Sequence, residues 1–553
     1  MDMRRVSFYT LAALLVAGAA ITACTSDDFA DEALAPQQGK TYTLSVNATK
    51  GADTRTLVEE EGALTASWNA NDEIKVYKGD TEVGALKPTA AGATRLVGEV
   101  TGVAEDDVLT LKFQADADYS AQEGTLEYID QHCSAAEATV TVTEIVGDAV
   151  NTSEATFVNQ QSITKFTFSV EVPSVVINNG VDEITVTPTA ATSTLYVAIP
   201  ATDGEADFSF TATIDEMNYI GAKSATLANG NFYTASIVMN KIVDLSKLTA
   251  EYVAQDGDIL TGTATDKYKI SIAAGATVTL KDVDITSFDS EGPKYAGINC
   301  IGDATLVIEG TNHVKGAYNE CSGIHIPENF TLTIEGTGKL TAESNGYGAG
   351  IGAGYYWGAA GNIIINSGEI IANGGGRCAG IGGGCERKCG DITINGGTIT
   401  ATGNGGAGIG SGESSACGNI TINGGTITAT TTSGNDAAAG IGAGYDRASC
   451  GNITITGGTI TAKGCGGDKI WAGGSKYTAA GIGGGCKGTS CGNITITGAD
   501  THVVATKGGV NDYDIGPGSD GYKLPSTCGT VTIGSGVVVK DENGNDAVIY
   551  GVS

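Results

Sequence analysis

One phrase constrains the fold of this chain more than any other. From Cys417 to Thr430 the sequence reads CGNITINGGTITAT, and it returns at Cys389 as CGDITINGGTITAT and at Cys450 as CGNITITGGTITAK. Each copy follows a glycine-laced segment: AGIGGG from Ala379, AGIGSG from Ala407 and AGIGAG from Ala439. Strand-like pieces repeating at a period of roughly thirty residues signal a solenoid, whose units bury their apolar faces only by stacking. Within the phrase, Ile420 and Ile422 flank Thr421, while Ile427 and Ala429 alternate with Thr426 and Thr428. That is the period of a strand with one buried face. In AGIGSG, Ala407 and Ile409 alternate with Gly408, Gly410 and Gly412, which predicts a third strand whose outer face is bare. Asn-Gly and Gly-Gly corners then close three strands into one coil. The prediction for residues 263–553 is a parallel, right-handed β-helix of about nine coils, with irregular terminal ones.

The rest of the chain also reads as all-β. Alternating strands such as EIKVYK at Glu73, KFTFSVEV at Lys165 and DFSFTATI at Asp207, separated by turn clusters, predict two sandwiches. These span residues 40–150 and 151–240, followed by a connector over 241–262. The net charge of −32, from 31 basic and 63 acidic residues, argues against nucleic acid or anionic polysaccharide as a partner, since both need clustered Lys and Arg. The four histidines, His132, His313, His325 and His502, neither cluster nor keep ligand spacing, so no metal or other cofactor is expected.

The first residues read as a processing signal. Arg4 and Arg5 precede the apolar run Leu11 to Ala20, too short to span a bilayer as a helix. Residues 1–23 then end in Ile21-Thr22-Ala23 before Cys24, which resembles the lipobox of bacterial lipoproteins. The resemblance implies that Cys24 becomes the acylated, palmitate-bearing first residue, with 24–39 as a flexible tether. Acyl chains, at about 0.8 kcal/mol per buried methylene, would anchor the protein on the outer membrane, surface-exposed. Acidic Asp27 and Asp28 resemble a surface-export signal.

The stretch TRTLVEEEGALTASWNANDEIKVY from Thr54 to Tyr77 and the strand GNFYTASIVM from Gly230 to Met239 resemble the fimbrillin-like family of surface lipoproteins. That resemblance implies paired transthyretin-like sandwiches, a role in adhesion or fimbrial assembly, and fimbrial subunits as partners. Arg55 matches the position cut in polymerising members. A long solenoid after the closing strand departs from the family pattern and favours a tip, accessory or standalone adhesin. The glycine-rich coils resemble β-helical domains of surface proteins labelled carbohydrate-binding.

Aromatic residues concentrate in loops beside the glycine strand. Tyr355, Tyr356, Trp357, Tyr445, Trp471 and Tyr477 are the candidate ligand-binding residues, since exposed aromatics on loops above a rigid scaffold supply stacking surfaces. Cysteines in an exported chain favour disulfides, and Cys385 with Cys389 and Cys486 with Cys491 bracket short loops. Cys389, Cys417, Cys450, Cys491 and Cys528 also share one position of successive coils, so pairing between coils competes with pairing inside a loop. The Thr-x-Thr pairs at Thr398, Thr426 and Thr459 would stack outward as a hydroxyl array.

Glycoside hydrolysis needs paired carboxylates, and elimination chemistry needs an activated base. The coils offer isolated Asp391, Glu413, Asp446 and Asp468, with Asp512 and Asp514 the nearest approach to a pair. The chain therefore reads as a non-catalytic surface protein that binds a glycan or an extracellular host ligand. A β-helical polysaccharide lyase or glycoside hydrolase, and a fimbrial tip or accessory subunit, are the alternatives.

Overall fold

The computed structural model describes residues 39–50, 58–60, 63–65, 67–264, 268–286, 294–317, 320–344, 346–355, 358–432, 436–466, 477–509, 513–519 and 524–551. Cys24, the tether and Arg55 lie outside the described residues.

The chain divides into two compact units, one running to Ala117 and including Ser134–Gln160, the other holding Asp118–Cys133 and everything from Gln161 on. The predicted boundary at 150 therefore gives way to an exchange of segments. In the first unit an eight-stranded sheet encloses a core of Leu44, Val46, Trp68, Ile74, Leu109, Leu111 and Phe157. Trp68 is buried there, its ring meeting Phe113 and Phe157 edge-on at 5.8 and 5.2 Å.

Asp118–Cys133 belongs with the second unit because Gln122 is tied into it. The buried Gln122 Nε2 donates to the Ala198 carbonyl at 2.8 Å, and its Oε1 accepts the Ala198 N–H at 2.9 Å. A short helix follows, Leu126–His132, capped by the Thr125 hydroxyl accepting the Tyr128 N–H. The strands Ser162–Val172, Thr192–Ile199 and Phe232–Ile237 form one sheet. Their Phe166, Phe168, Leu195 and Ile237 share a core with Ile177, Val186 and Phe210 from the strands opposite.

From there the sheet does not stop. Asn240–Asp244 pairs antiparallel with Met217–Ala225 on one side and parallel with Ile259–Thr263 on the other. The predicted connector is thus the first coil: Val243, Leu245 and Leu260 point into the same continuous core as the repeats. Among the described residues ten parallel strands stack on the glycine side, from Tyr252–Ala254 to Ile515–Gly516. The connector accounts for the difference from the nine coils predicted.

In the repeats, Ile420 and Ile422 pair in register with Ile392 and Ile394 of the preceding coil and Ile453 and Ile455 of the next. All six are fully buried, each contributing about 1.5–3 kcal/mol against exposure. Their intervening threonines face outward, as do Thr426 and Thr428 of the second strand. Asparagine and aspartate side chains bolt successive corners together. Asp391 Oδ1 accepts the Asn419 N–H at 2.7 Å, Asn419 Oδ1 that of Asn452 at 2.9 Å, and Asn452 Oδ1 that of Asn493 at 2.9 Å. The coil also has a short fourth strand that the sequence reading lacked: Ala416–Cys417, Ser449–Cys450, Ser490–Cys491 and Thr527–Cys528 form a parallel ladder of their own.

One buried histidine sets an acid limit. His325 is 3% exposed, its Nδ1 lies 3.2 Å from the Gly352 carbonyl oxygen, and burial pushes its pKa down to about 4. Above pH 6.5 folded and unfolded forms both carry a neutral ring. Below it the unfolded state takes a proton that the folded state refuses, so stability falls until about pH 4. By linkage the loss approaches about 3 kcal/mol. Thermal melts across this window should show that fall, and His325→Gln should flatten it; an unchanged slope would refute the assignment.

Candidate functional site: a polar corner stacked along the coils

The glycine strand is not a bare outer face. Ala407, Gly408, Ile409 and Gly410 are all buried, because the end of the Thr-rich strand and the neighbouring coils lie directly against them. A Cβ on Gly408 would meet the Thr430 nitrogen and the Gly440 oxygen, each at 2.7 Å. Gly410, at φ +140°, would drive a Cβ into the Gly442 carbonyl. The flat partner that these glycines admit is the chain's own backbone.

What this strand offers to solvent is the corner at its end. The residues that directly follow the glycine motif are Tyr355, Cys385, Glu413, Tyr445 and Cys486. One position on, Glu386, Ser414, Asp446 and Lys487 all hold left-handed backbone, with φ of 55, 48, 51 and 69°. Each such non-glycine residue costs roughly 1–2 kcal/mol. The stack sustains them through bonds between coils: the Glu386 N–H donates to the Glu413 carbonyl at 2.9 Å, and Ser414 to that of Tyr445 at 3.0 Å.

Cations and rings meet on this corner. The Arg387 guanidinium sits 5.0 Å from the centre of the Tyr355 ring, and its Nε donates to the Tyr355 carbonyl at 3.0 Å. Tyr355 is half-buried and its neighbour Tyr347 is 48% exposed. Three rungs along, Lys487 Nζ lies 5.1 Å from the Tyr445 ring centre and 2.7 Å from Asp446 Oδ2. Between them Arg377 Nη1 reaches Glu413 Oε2 at 3.0 Å. Burial raises the Glu413 pKa, against the pull of Arg377 in the other direction.

Of the aromatic residues singled out from sequence, Tyr356, Trp357 and Trp471 lie outside the described residues. Tyr445 is not an exposed stacking group. It is 9% exposed, packed with Ala437, Ala479 and Cys486, and burial pushes its phenol up to about 12. Tyr477 is half-buried beside it, ring centres 6.2 Å apart. The two therefore converge on each other, while Tyr355 stands three rungs away, about 14 Å at the spacing of paired strands.

The expected loop disulfides are replaced by other contacts. None of the twelve described cysteines is in a disulfide. Cys385 neighbours Cys378, whose Sγ accepts the Cys385 N–H at 3.1 Å, and Glu413. Cys389 instead turns to Cys417 of the next coil, Sγ to Sγ 3.0 Å. Cys491 likewise meets Cys450 and Cys528. Parallel in-register stacking brings the same position of successive coils closer than two ends of one loop.

Asp514, half of the nearest acidic pair, is buried and accepts the Lys507 and Val548 N–H groups at 3.0 and 2.8 Å. It caps the last coil; Asp512 lies outside the described residues. Among the described residues no three His, Cys, Asp or Glu side chains are grouped to hold a metal ion, and no helix is long and apolar enough to cross a membrane. The corner itself could have been found from sequence by aligning the residues after each glycine motif, where charge replaces the small residues of the strand.

The profile of the β-helix repeat family matches residues 332–355, 363–385, 392–413, 420–445 and 453–486, the strands that lead into the corner; Glu386, Arg387, Ser414, Asp446 and Lys487 fall between or after the matched pieces. Among curated protein sequences none matches the chain. Among solved structures, the chain is similar to a protein from Bacteroides eggerthii provisionally described as a cell adhesion protein, at 9% identity and a TM-score of 0.22, over 36% of this chain and 86% of that one. The chain carries β-helix repeats, and they support the corner described above.

Proposed function

We propose that this chain is a cell-surface protein that acts by binding, in adhesion, with the stacked corner of its β-helix as the contact surface for a glycan or an extracellular host ligand. The observation that carries the reading is the Tyr355–Arg387 pair beside exposed Tyr347, on a rigid scaffold. A ring face flanked by a fixed guanidinium offers a sugar both stacking surface and hydrogen-bond donors. Coils that hold charged residues in left-handed backbone keep that display in one geometry.

The remaining parts of the proposal rest on the sequence resemblances: acylation at Cys24, an outer-membrane anchor, and fimbrillin-like, transthyretin-like sandwiches before the coils. A non-catalytic role accords with the pairing of Glu413 to Arg377 and of Asp446 to Lys487, which ties up the charges nearest the corner.

A glycan and matrix-protein array with the purified protein tests this reading. Tyr355→Ala and Arg387→Ala should each weaken binding about tenfold, or about 1.4 kcal/mol, with unchanged thermal unfolding. Equal binding by both variants would move the site elsewhere. Absence of any bound ligand, or release of soluble fragments from a polysaccharide panel, would overturn the proposal.

A further inference from the structure

Five cysteines form one column. Cys417, Cys450, Cys491 and Cys528 pair in register, each on the same short strand of consecutive coils, and Cys389 extends the column by one rung, its N–H donating to Ala416 and its carbonyl accepting from Gly418. The thiols face one another along it: the sulfurs of Cys389 and Cys417 lie 3.0 Å apart, and the Cys491 thiol interacts with those of Cys450 and Cys528. Adjacent strands lie about 4.8 Å apart, within the Cα separation that a disulfide spans.

We propose that this column is a covalent staple site, in which neighbouring coils are joined by disulfides that can migrate along the stack. An external disulfide supplies the oxidising equivalents. Two protein thiols and one R–S–S–R give one protein disulfide and two R–SH. Cys528 is the most accessible rung, half-exposed where the other four are buried, so attack on the external disulfide starts there. Cys491 then displaces R–SH from the mixed disulfide.

Migration needs no further oxidant. A thiolate at one rung attacks the near sulfur of the adjacent disulfide, forms a bond to it, and releases the far sulfur as the new thiolate. This displacement runs best with three sulfurs in line, and a column of stacked residues supplies that line.

The arithmetic of a five-rung column is restrictive. Two disulfides between neighbours use four rungs and leave one thiol. The arrangements are Cys389–Cys417 with Cys450–Cys491, Cys389–Cys417 with Cys491–Cys528, and Cys417–Cys450 with Cys491–Cys528. In all three, Cys417 and Cys491 are bonded. The odd thiol rests on Cys389, Cys450 or Cys528. The hydrogen bond to Cys389, then burial, raise the Cys417 thiol, and the bond to Cys450 raises that of Cys491. Exchange therefore quickens as pH rises.

The test is to equilibrate the native protein with oxidised glutathione, quench in acid, alkylate after denaturation and map every cysteine by mass spectrometry. Complete protection of Cys417 and Cys491, with labelling divided among Cys389, Cys450 and Cys528, is the expected result. Cys528→Ser removes the accessible entry rung, so its oxidation should be slower than the parent's and end in two fixed disulfides, Cys389–Cys417 and Cys450–Cys491, with no labelled column cysteine. Cys417→Ser should leave two labelled ones. Labelling of Cys417 or Cys491 in the fully oxidised protein, bonds from the column to Cys385 or Cys486, or a column that stays reduced would overturn the proposal. The exposed Cys528 variant keeps the test valid if the Cys417 variant fails to fold.

Discussion

Gly442→Val is expected to cost at least about 3 kcal/mol and to disrupt the coils on both sides of it. Gly442 sits at φ +133°, and a side chain there would be driven into the Gly483 carbonyl of the next coil. Two penalties combine. The backbone conformation is one that only glycine adopts readily, at roughly 1–3 kcal/mol for any other residue, and the clash is with backbone, which cannot rotate away. The position is one of a column with Gly382, Gly410, Gly483 and Gly516, at φ between 128 and 145°, so relief by sliding one coil transfers the clash to its neighbour. Gly275→Ala is the control. It also has positive φ, +79°, but no atom within 4 Å of the added Cβ, and should cost about 1–2 kcal/mol from backbone strain alone. Chemical denaturation of the two variants against the parent decides the matter; equal losses would mean that close packing of the glycine strand is unimportant.

The second large effect is expected from Ile422→Ala. Ile422 is fully buried between Ile394 and Ile455, and removing three carbons from a core position costs about 2–5 kcal/mol. In a solenoid each coil holds only its neighbours, so the loss should divide the unfolding of the stack into two transitions. Val531→Ala, in the last coil and 9% exposed, should cost about 1 kcal/mol and shift only the terminal transition. A single cooperative shift of the whole stack for both variants would contradict a nearest-neighbour description.

The strand periodicity that made the stack legible in sequence is local. Alternation at Ile420, Thr421 and Ile422 says which side is buried, and repetition says what buries it. Residues 241–262 escaped because they lack the glycine motif, though Val243, Leu245 and Leu260 enter the same core. From sequence the glycine strand reads as having a bare outer face, because glycine gives no hydropathy signal; only the distances from Gly408 to Thr430 and Gly440 show that it is covered. Tyr445 reads as an exposed loop residue for a related reason. Its burial comes from Ala437, earlier in the same coil, and from Ala479, far from it in sequence but adjacent in the stack. Aligning the residues after each glycine motif locates the corner, but its backbone is not legible there, because left-handed conformation at Glu386, Asp446 and Lys487 runs against residue preference and is sustained by coil-to-coil bonds that no local pattern records.

The unbroken pairing from the sheet of Met217–Ala225 through Asn240–Asp244 into the coils has a mechanical consequence. Hydrogen bonds between parallel coils run along the stacking direction, so tension applied in that direction loads them one rung at a time and peels the stack serially. Tension applied across it loads many bonds together in shear. A molecule built this way yields under axial load in small steps, each lengthening the chain by about one coil, and caps the tension it transmits for as long as coils remain to peel.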